Sequence, residues 1–202
     1  MTTRVVSPPP VEPITLAEAK LHLRETGTEQ DAIITSLIVA ARQYAENYTR
    51  RALVQQTLEL LLPCFPWDGV IALPRPSLVS VTSVKYIDTG GVLTTVDPSE
   101  YQVDVYRQPA YIKPAYLYYW KATRSSDVNA VQVRYVAGYP VGAGSPTDYT
   151  VNIPDGIKHW MRVRVAQLYE HREAMIAGTI VANVPRDYVD GLLDPFKVNY
   201  FY

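Results

Sequence analysis

Histidines are the side chains best suited to acid–base catalysis or metal binding, and this chain has three of them, His22, His159 and His171. His159 and His171 fall on one predicted helix, but their spacing places them roughly a third of a turn apart around its axis. The sequence contains no HExxH, no CxxC and no two histidines one helical turn apart, the spacings that gather ligands around one metal ion. We therefore predict no metal site and no cofactor.

Motifs for covalent catalysis and for phosphate binding are also missing from the sequence. There is no GxSxG, which would place a serine nucleophile on a strand-to-helix turn. Gly138, Gly142 and Gly144 lack the Lys-Ser/Thr of a P-loop and the spacing of a dinucleotide site, so we predict a flexible surface loop there. The single cysteine, Cys64, cannot form an intrachain disulfide, and we expect it to be buried as a small apolar residue. The sequence therefore predicts a protein that is not an enzyme.

Composition narrows the class further. The chain has 202 residues, of which 48% are hydrophobic and 19% charged, as is typical of a globular protein. A formal net charge of −1 lacks the basic excess of a free-standing nucleic-acid binder. No run approaches the about 18 apolar residues that span a bilayer. We therefore expect no membrane partner and a cytosolic site of synthesis.

Two long amphipathic helices are the elements that would position any functional side chain. Hydrophobic periodicity predicts one over residues 28–49, beginning at Thr28, and a second over residues 155–176. The apolar arc of the first helix is broad, so we expect it to face the core. Its members are Ile33, Ile34, Leu37, Ile38, Ala40, Ala41, Tyr44, Ala45 and Tyr48.

Two shorter helices are predicted at the ends of the chain. Thr15 and Glu18 form a capping-box pattern that opens a helix near residues 15–24, and Gly27 is expected to end it. The segment DYVDGLLDPF predicts a short C-terminal helix followed by an extended aromatic tail.

The section between the long helices is typical of β-structure. LVSVTSVKYI at 78–87 is rich in β-branched residues, Asp88–Gly91 supplies a hairpin turn, and Val131, Val133 and Tyr135 alternate with polar residues. We predict an α+β fold, a small helical bundle with an inserted antiparallel β-rich section. The predicted layout is a Pro-rich arm at 1–13, a helical core at 14–56 and 153–202, and the β-rich insertion at 57–152.

Arginine and aromatic side chains are the candidate contacts with other subunits or partners. Arg164 and Arg172 fall inside or beside the apolar arc of the late helix, where they either extend their stems along a rim or pair with a neighbouring subunit or helix. Arg50 and Arg51 either complement the end of their helix or contact a phosphate or partner. The full set of candidates is Arg42, Arg50, Arg51, Trp160, Arg162, Arg164, Arg172, Tyr200, Phe201 and Tyr202.

The order of several segments, rather than any single motif, resembles a known family. PITLAEAKLHLR comes first and DAIITSLIVAARQYAENYTRRAL follows, while VQVRYVAGYP, IPDGIKHWMRVRVAQLYEHREA and LLDPFKVNYF come late. This ordered set is similar to the head–tail connector proteins, also called adaptor or head-completion proteins, of tailed double-stranded DNA phages and prophages. The β-rich middle fits the longer members of that family. The Pro-rich arm and the aromatic end depart from its pattern.

The resemblance implies a structural virion protein that forms a ring, typically twelvefold, beneath the portal at one vertex of the capsid. Such a ring extends the DNA channel and completes the packaged head for attachment of a stopper or tail. The implied partners are other copies of the chain, the portal protein, a stopper or tail protein, and DNA that passes through the lumen without sequence specificity. The implied location is the head–tail junction of the virion, after assembly in the host cytoplasm. A near-neutral charge suits a channel in which DNA slides.

Two other functions also fit the residues. The first is a tail-completion or tail-terminator protein, which shares the ring logic but binds the tail tube. The second is a carbohydrate- or protein-binding β module, which would be monomeric and would bind its ligand saturably. Its stacking platform would consist of Tyr111, Tyr116, Tyr118, Tyr119 and Trp120.

Overall fold

The computed structural model describes residues 2–124, 127–143, 147–171 and 190–199. Among these residues it forms three helices and two antiparallel sheets, which confirms the predicted α+β class. The elements in chain order are β1 (Thr2–Ser7), α1 (Leu16–Leu23), α2 (Asp31–Thr49), β2 (Gln56–Leu62), β3 (Ile71–Leu73), β4 (Leu78–Ile87), β5 (Leu93–Thr95), β6 (Tyr101–Asp104), β7 (Ala110–Pro114), β8 (Val131–Ala137) and α3 (Asp155–Glu170).

The chain divides into two compact units. In its described parts, the β unit comprises residues 2–10 and 54–140, and the helical unit comprises residues 11–53 and 141–199. The β unit holds both sheets, with strand order β1-β2-β8-β4-β5 in the larger one and β3-β7-β6 in the smaller one. No helix among the described residues is long and apolar enough to cross a bilayer.

Alternating burial explains the centre of the larger sheet. Leu58 and Leu60 of β2 are fully buried and pair with Tyr135 and Val133 of β8, which are also fully buried. Side chains of one strand point alternately to opposite faces, so this register puts the apolar residues of both strands on one face. The predicted β pattern of this region is therefore confirmed.

Strand β1 lies in the segment predicted as a Pro-rich arm, and a buried carboxylate holds it to the sheet. Glu59 of β2 is 3% exposed, and Arg4 and Arg134 flank it across the strands. Its carboxylate accepts a hydrogen bond of 2.7 Å from Arg4 Nε and one of 2.9 Å from Arg134 Nη2. Burial alone would raise the pKa of Glu59, but the hydrogen bonds from Arg134 and Arg4 outweigh it and hold the pKa below its usual value.

The helical unit packs α1, α2 and α3 together through apolar faces. Ile34 and Ile38 of α2 and Ile157 and Met161 of α3 are at most 2% exposed. Most of the predicted arc of α2 is buried or half-buried, but Ile33 and Ala40 are exposed, Ile33 by 40%. The neighbouring helices cover only part of the surface of α2, so residues at the edge of a broad apolar arc remain in solvent.

Helix ends differ from prediction more than helix interiors do. The capping box is confirmed, since the Glu18 amide donates to Thr15 Oγ1 at 3.1 Å and the Thr15 amide donates to Glu18 Oε2 at 2.7 Å. Helix α1 ends at Leu23, and the residue that follows it, Arg24, has a left-handed backbone conformation, so the predicted end at Gly27 is wrong. Helix α2 begins at Asp31 after Gln30, so the predicted start at Thr28 is wrong. The described part of α3 ends at Glu170, and residues 172–176 of the predicted helix lie outside the described residues.

The predicted burial of Cys64 and the predicted exposure of Gly138 are both wrong. Cys64 is exposed in the loop after β2 and not buried. Gly138 is buried, with a φ of +145°, so it is not part of a flexible surface loop. It directly follows β8, where its missing side chain lets two backbone segments approach each other.

The left-handed conformation of Arg24 gives a first testable prediction. Arg24 has φ 58°, and its side chain makes no hydrogen bond or ion pair within the described part of the chain. An L-residue in this conformation carries a steric cost that glycine does not, so Arg24→Gly is expected to stabilise the helical unit by about 0.5–1 kcal/mol. Urea unfolding followed by circular dichroism measures the change. Arg24→Ala is the control, and equal stability of the two variants would contradict the explanation.

Candidate functional site

The described residues offer no arrangement for metal chemistry. No group of three or more His, Cys, Asp or Glu side chains among them is placed to hold a metal ion. His22, His159 and His171 are all exposed.

Arg42, a predicted contact residue, is buried inside the helical unit. It is 7% exposed, its Nε donates to Glu12 Oε2 at 2.7 Å, and its Nη1 donates to Glu46 Oε2 at 3.0 Å. The other oxygen of Glu46 accepts from the buried Leu53 amide at 3.0 Å. Arg42 therefore joins α2 to the segments before α1 and after α2.

The arginine doublet after α2 has two different roles. Arg50 is exposed and takes the left-handed cap conformation, with φ 57° and its amide donating to the carbonyl of Glu46. Arg51 Nε donates to the carbonyl oxygen of Phe196 at 2.6 Å. Arg51 thus holds the C-terminal turn at Asp194–Phe196 against the end of α2.

Trp160 and Arg164 both contact Tyr44 of α2. Trp160 is fully buried, and its ring stacks on Tyr44 with centroids 5.4 Å apart. The guanidinium of Arg164 lies 5.3 Å from the centroid of the Tyr44 ring, and its Nη1 donates to Gln167 Oε1 at 3.3 Å. Arg164 therefore makes a cation–π contact within its own unit, an arrangement that a projection of α3 alone does not reveal.

Arg162 links α3 to α1. Its Nη2 lies 3.3 Å from Glu18 Oε1, and farther along α3 the Tyr169 hydroxyl donates to Glu25 Oε2 at 3.2 Å. The backbone hydrogen bond from Thr15 is the largest cause of a lowered pKa at Glu18, and Arg162 adds to it. The remaining candidates, Arg172, Tyr200, Phe201 and Tyr202, lie outside the described residues.

Tyr48, near the end of α2, gives a prediction about alkaline pH. Its hydroxyl donates to Asp194 Oδ1 at 2.6 Å, and this bond is the main cause that raises the pKa of Tyr48 from 10.0 to about 12. Because the folded-state pKa is raised, the stability from this bond is complete below the ordinary pKa and is lost as pH rises from roughly 10 towards 12. The helical unit is therefore expected to lose stability more steeply in this range in the wild type than in Tyr48→Phe.

Urea midpoints measured across that pH range compare the two proteins. All other side chains are the same in both proteins, so their contribution cancels in the difference. Tyr116→Phe, at an exposed position, is the matched control and should keep the wild-type slope. Parallel slopes for wild type and Tyr48→Phe would show that the hydrogen bond to Asp194 does not couple folding to ionisation.

An aromatic groove lies on the surface of the β unit. Its volume is about 370 Å³, and two loops form it, one after β2 and one after β7. Trp120 stacks on Phe65 with centroids 4.6 Å apart and planes 2° apart, and its Nε1 donates to the Gly69 carbonyl at 2.8 Å. Trp67 is 99% exposed and Tyr119 is 81% exposed at its rim.

A strained turn adjoins the groove. The Tyr118 amide donates to the Ala115 carbonyl at 3.0 Å and closes a turn whose third residue, Leu117, has φ 67°. A positive φ at the third residue of a β-turn is normally found with glycine, because a residue with a side chain is strained in that conformation. Leu117 is nevertheless 75% exposed, so burial of its side chain does not compensate for the strain.

The structure brings together only part of the predicted stacking platform. Tyr119 and Trp120 line the groove, and Tyr116 lies on the adjoining turn. Tyr111 lies in β7, and the guanidinium of Arg107 is 4.8 Å from its ring centroid. Sequence reasoning missed Phe65 and Trp67, although the FPWDG segment carried a signal: two aromatic residues in a loop that has no apolar periodicity.

Comparison with known proteins finds one similar family. Residues 13–89 match the model of the family described as phage gp6-like head-tail connector protein. No curated protein matches the chain significantly.

Solved structures of gene transfer agent (GTA) particles share the fold. A chain from the neck of an empty GTA particle, computed with C6 symmetry, is 23% identical and has a TM-score of 0.77, with 100% of this chain and 98% of that chain covered. Chains from the virion of a native GTA particle and from its neck, computed with C12 symmetry, are each 22% identical at the same coverage and have TM-scores of 0.75 and 0.74. Through residues 13–89, the chain is similar to the phage gp6-like head-tail connector family, and over its whole length its fold is similar to that of chains from GTA particles.

Proposed function

We propose that the chain is a structural protein of the neck of a phage-like particle, where it forms a ring between the portal and the tail or stopper. The observation that carries this proposal is the fold match, which extends over 100% of this chain to a chain from the neck of a GTA particle. The family match at residues 13–89, which runs from the helical unit into the first strands of the β unit, also supports it. The proposed location is the head–tail junction of the virion, reached after assembly in the host cytoplasm.

Ring formation is supported by the symmetry of the related particles. The similar neck structures were computed with C6 and with C12 symmetry, and twelve copies satisfy both. A closed ring needs two different complementary surfaces on each subunit. The proposed partners are neighbouring copies on the two sides, the portal above and the stopper or tail below.

Passage of DNA through the ring fits the charges of the chain. Its formal net charge is −1. Arg42, Arg51, Arg162 and Arg164 are all engaged by groups of the helical unit. Each phosphate that a protein neutralises adds to the electrostatic grip on DNA, so a lining with few available cations would let the duplex slide. We propose no sequence-specific contact with DNA and no catalytic step.

Deleting the gene in a particle-producing strain tests the proposed role. The expected result is DNA-filled heads and separate tails in electron micrographs, with attachment restored by the wild-type gene. Tails that remain attached would contradict the proposal. Tails of uncontrolled length on otherwise complete heads would instead support the tail-terminator function.

A further inference from the structure

We propose that the aromatic groove of the β unit binds the extended segment Pro8–Pro10 of a second copy of this chain. Pro8 and Pro10 are exposed, and the groove is open to solvent. None of the residues that line the groove comes from Pro8–Pro10, so within one copy the segment does not fill the groove. This contact goes beyond the proposed function, because it is a property of the chain itself and can be measured without a portal or a tail.

The floor of the groove is rigid before any ligand arrives. Trp120 is held by its stacking on Phe65 and by the hydrogen bond from its indole to the Gly69 carbonyl. The Phe65 ring also contacts Tyr86 of β4, with centroids 5.8 Å apart. A ligand that stacks on these rings would therefore lose little affinity to ordering of the site.

The rim of the groove presents apolar area that the isolated chain leaves in water. Trp67 and Tyr119, which line the groove, and Leu117 of the adjoining turn are each at least 75% exposed. Contiguous exposed apolar surface of this kind usually marks a binding site. The strained backbone of Leu117 strengthens this inference, because strain that does not help to bury a side chain is commonly kept for function.

Charge selects the class of occupant. Among the described residues, Lys121 is the one charged residue that lines the groove, and its Nζ lies 4.0 Å from Glu100 Oε1. One partly neutralised cation does not suit a phosphate or an acidic peptide. An uncharged segment matches this surface, since it brings no charge that would lose its hydration.

Polyproline suits the shape and chemistry of such a surface. A polyproline II segment has no internal hydrogen bonds and low conformational entropy, and aromatic-lined grooves are its usual receptors. Pro8, Pro9 and Pro10 carry no charge and no backbone N–H group, and Pro8 and Pro10 are exposed. The groove volume of about 370 Å³ lies within the usual range for small-ligand pockets.

The neighbouring strand presents the segment in a fixed place. Pro8 directly follows β1, which Arg4 ties to Glu59 of β2. When the segment of one copy binds the groove of the next copy, two different parts of the chain meet, and the contact is head-to-tail. Contacts of this kind can repeat around a ring. Each single contact is small, so the free peptide is expected to bind weakly and repeated copies to bind more tightly.

A peptide titration tests the proposal. The dye-labelled peptide VVSPPPV, residues 5–11, is titrated with the full chain and followed by fluorescence anisotropy. We expect saturable binding that Trp67→Ala weakens by about tenfold or more. Tyr106→Ala is the matched control, since Tyr106 is 94% exposed but does not line the groove, and it should bind as the wild type does.

Two further arms make the result decisive. A peptide with all three prolines replaced by alanine should bind at least tenfold more weakly than VVSPPPV. Absence of saturable binding, or equal binding by wild type and Trp67→Ala, would overturn the proposal. Saturable binding of an oligosaccharide in place of the peptide would also overturn it and assign the groove to a sugar. None of these outcomes depends on the role at the neck, which the gene deletion tests separately.

Discussion

Gly138→Ala is expected to destabilise the β unit by about 4 kcal/mol or more, among the largest effects of a single substitution. A Cβ at this position would lie 2.5 Å from the Gln55 amide nitrogen and 2.6 Å from the Val54 carbonyl carbon. Both neighbours are backbone atoms, so no side chain can rotate away to make room. The φ of +145° adds strain for any residue other than glycine.

Urea unfolding followed by circular dichroism and tryptophan fluorescence measures this loss. Gly156→Ala in α3 is the matched control, because within the described residues its Cβ would lie no closer than 3.5 Å to an atom outside its own helix, at the ring of Phe196. That substitution is expected to stabilise its helix by about 0.5–1 kcal/mol. A Gly138→Ala protein within 1 kcal/mol of wild type would show that the close approach of Gly138 to Gln55 is wrong.

Arg42→Met is expected to destabilise the helical unit by about 3 kcal/mol. The substitution keeps an apolar stem of similar length but leaves Glu12 and Glu46 without their shared cation. Glu46 is 3% exposed, so its charge would lie in a poorly solvated place. Glu12 retains partial access to water. We therefore expect a loss of stability at the lower end of the range that is typical when one partner of a buried ion pair is removed.

Gln43→Met separates this effect from a general effect of methionine on α2. Gln43 is the adjacent exposed position, so the change should stay within about 0.5 kcal/mol. Adding Glu12→Gln to Arg42→Met should recover part of the stability, because one unpaired charge is removed. Equal stabilities of Arg42→Met and Gln43→Met would contradict the buried network.

Local patterns predicted the interiors of the elements well. Alternation placed β8 correctly because both of its neighbours bury the same face, and the predicted strand at 78–87 coincides with β4. The capping box at Thr15 and Glu18 was visible because both partners lie within one helical turn. These features depend on residues that are close together in the sequence.

Features held by distant partners could not be predicted. Strand β1 has an unremarkable pattern, and its place depends on the pairing of Arg4 with Glu59, 55 residues away. Arg42 was predicted to be a contact residue, and it does not belong to the predicted apolar arc of α2. A helical projection contains only one helix, so it does not show that Glu12 covers that side.

The candidate site shows the same limit. The stacking of Phe65 on Trp120 and the bond from Trp120 to Gly69 join two loops that are far apart in the sequence. Sequence reasoning recognised the aromatic residues of only one of these loops. Trp67 therefore became visible as a candidate only when the fold placed the loops side by side.

Electron microscopy of the purified protein mixed with its portal protein tests whether the chain forms a ring there, with light-scattering masses of each component and of the mixture. We expect a ring of about twelve subunits bound to one end of the portal, with a central channel. A free protein that is monomeric is compatible with this result, provided that the ring forms on the portal. A protein that stays monomeric and adds neither density nor mass to the portal would contradict a role as a ring at the head–tail junction.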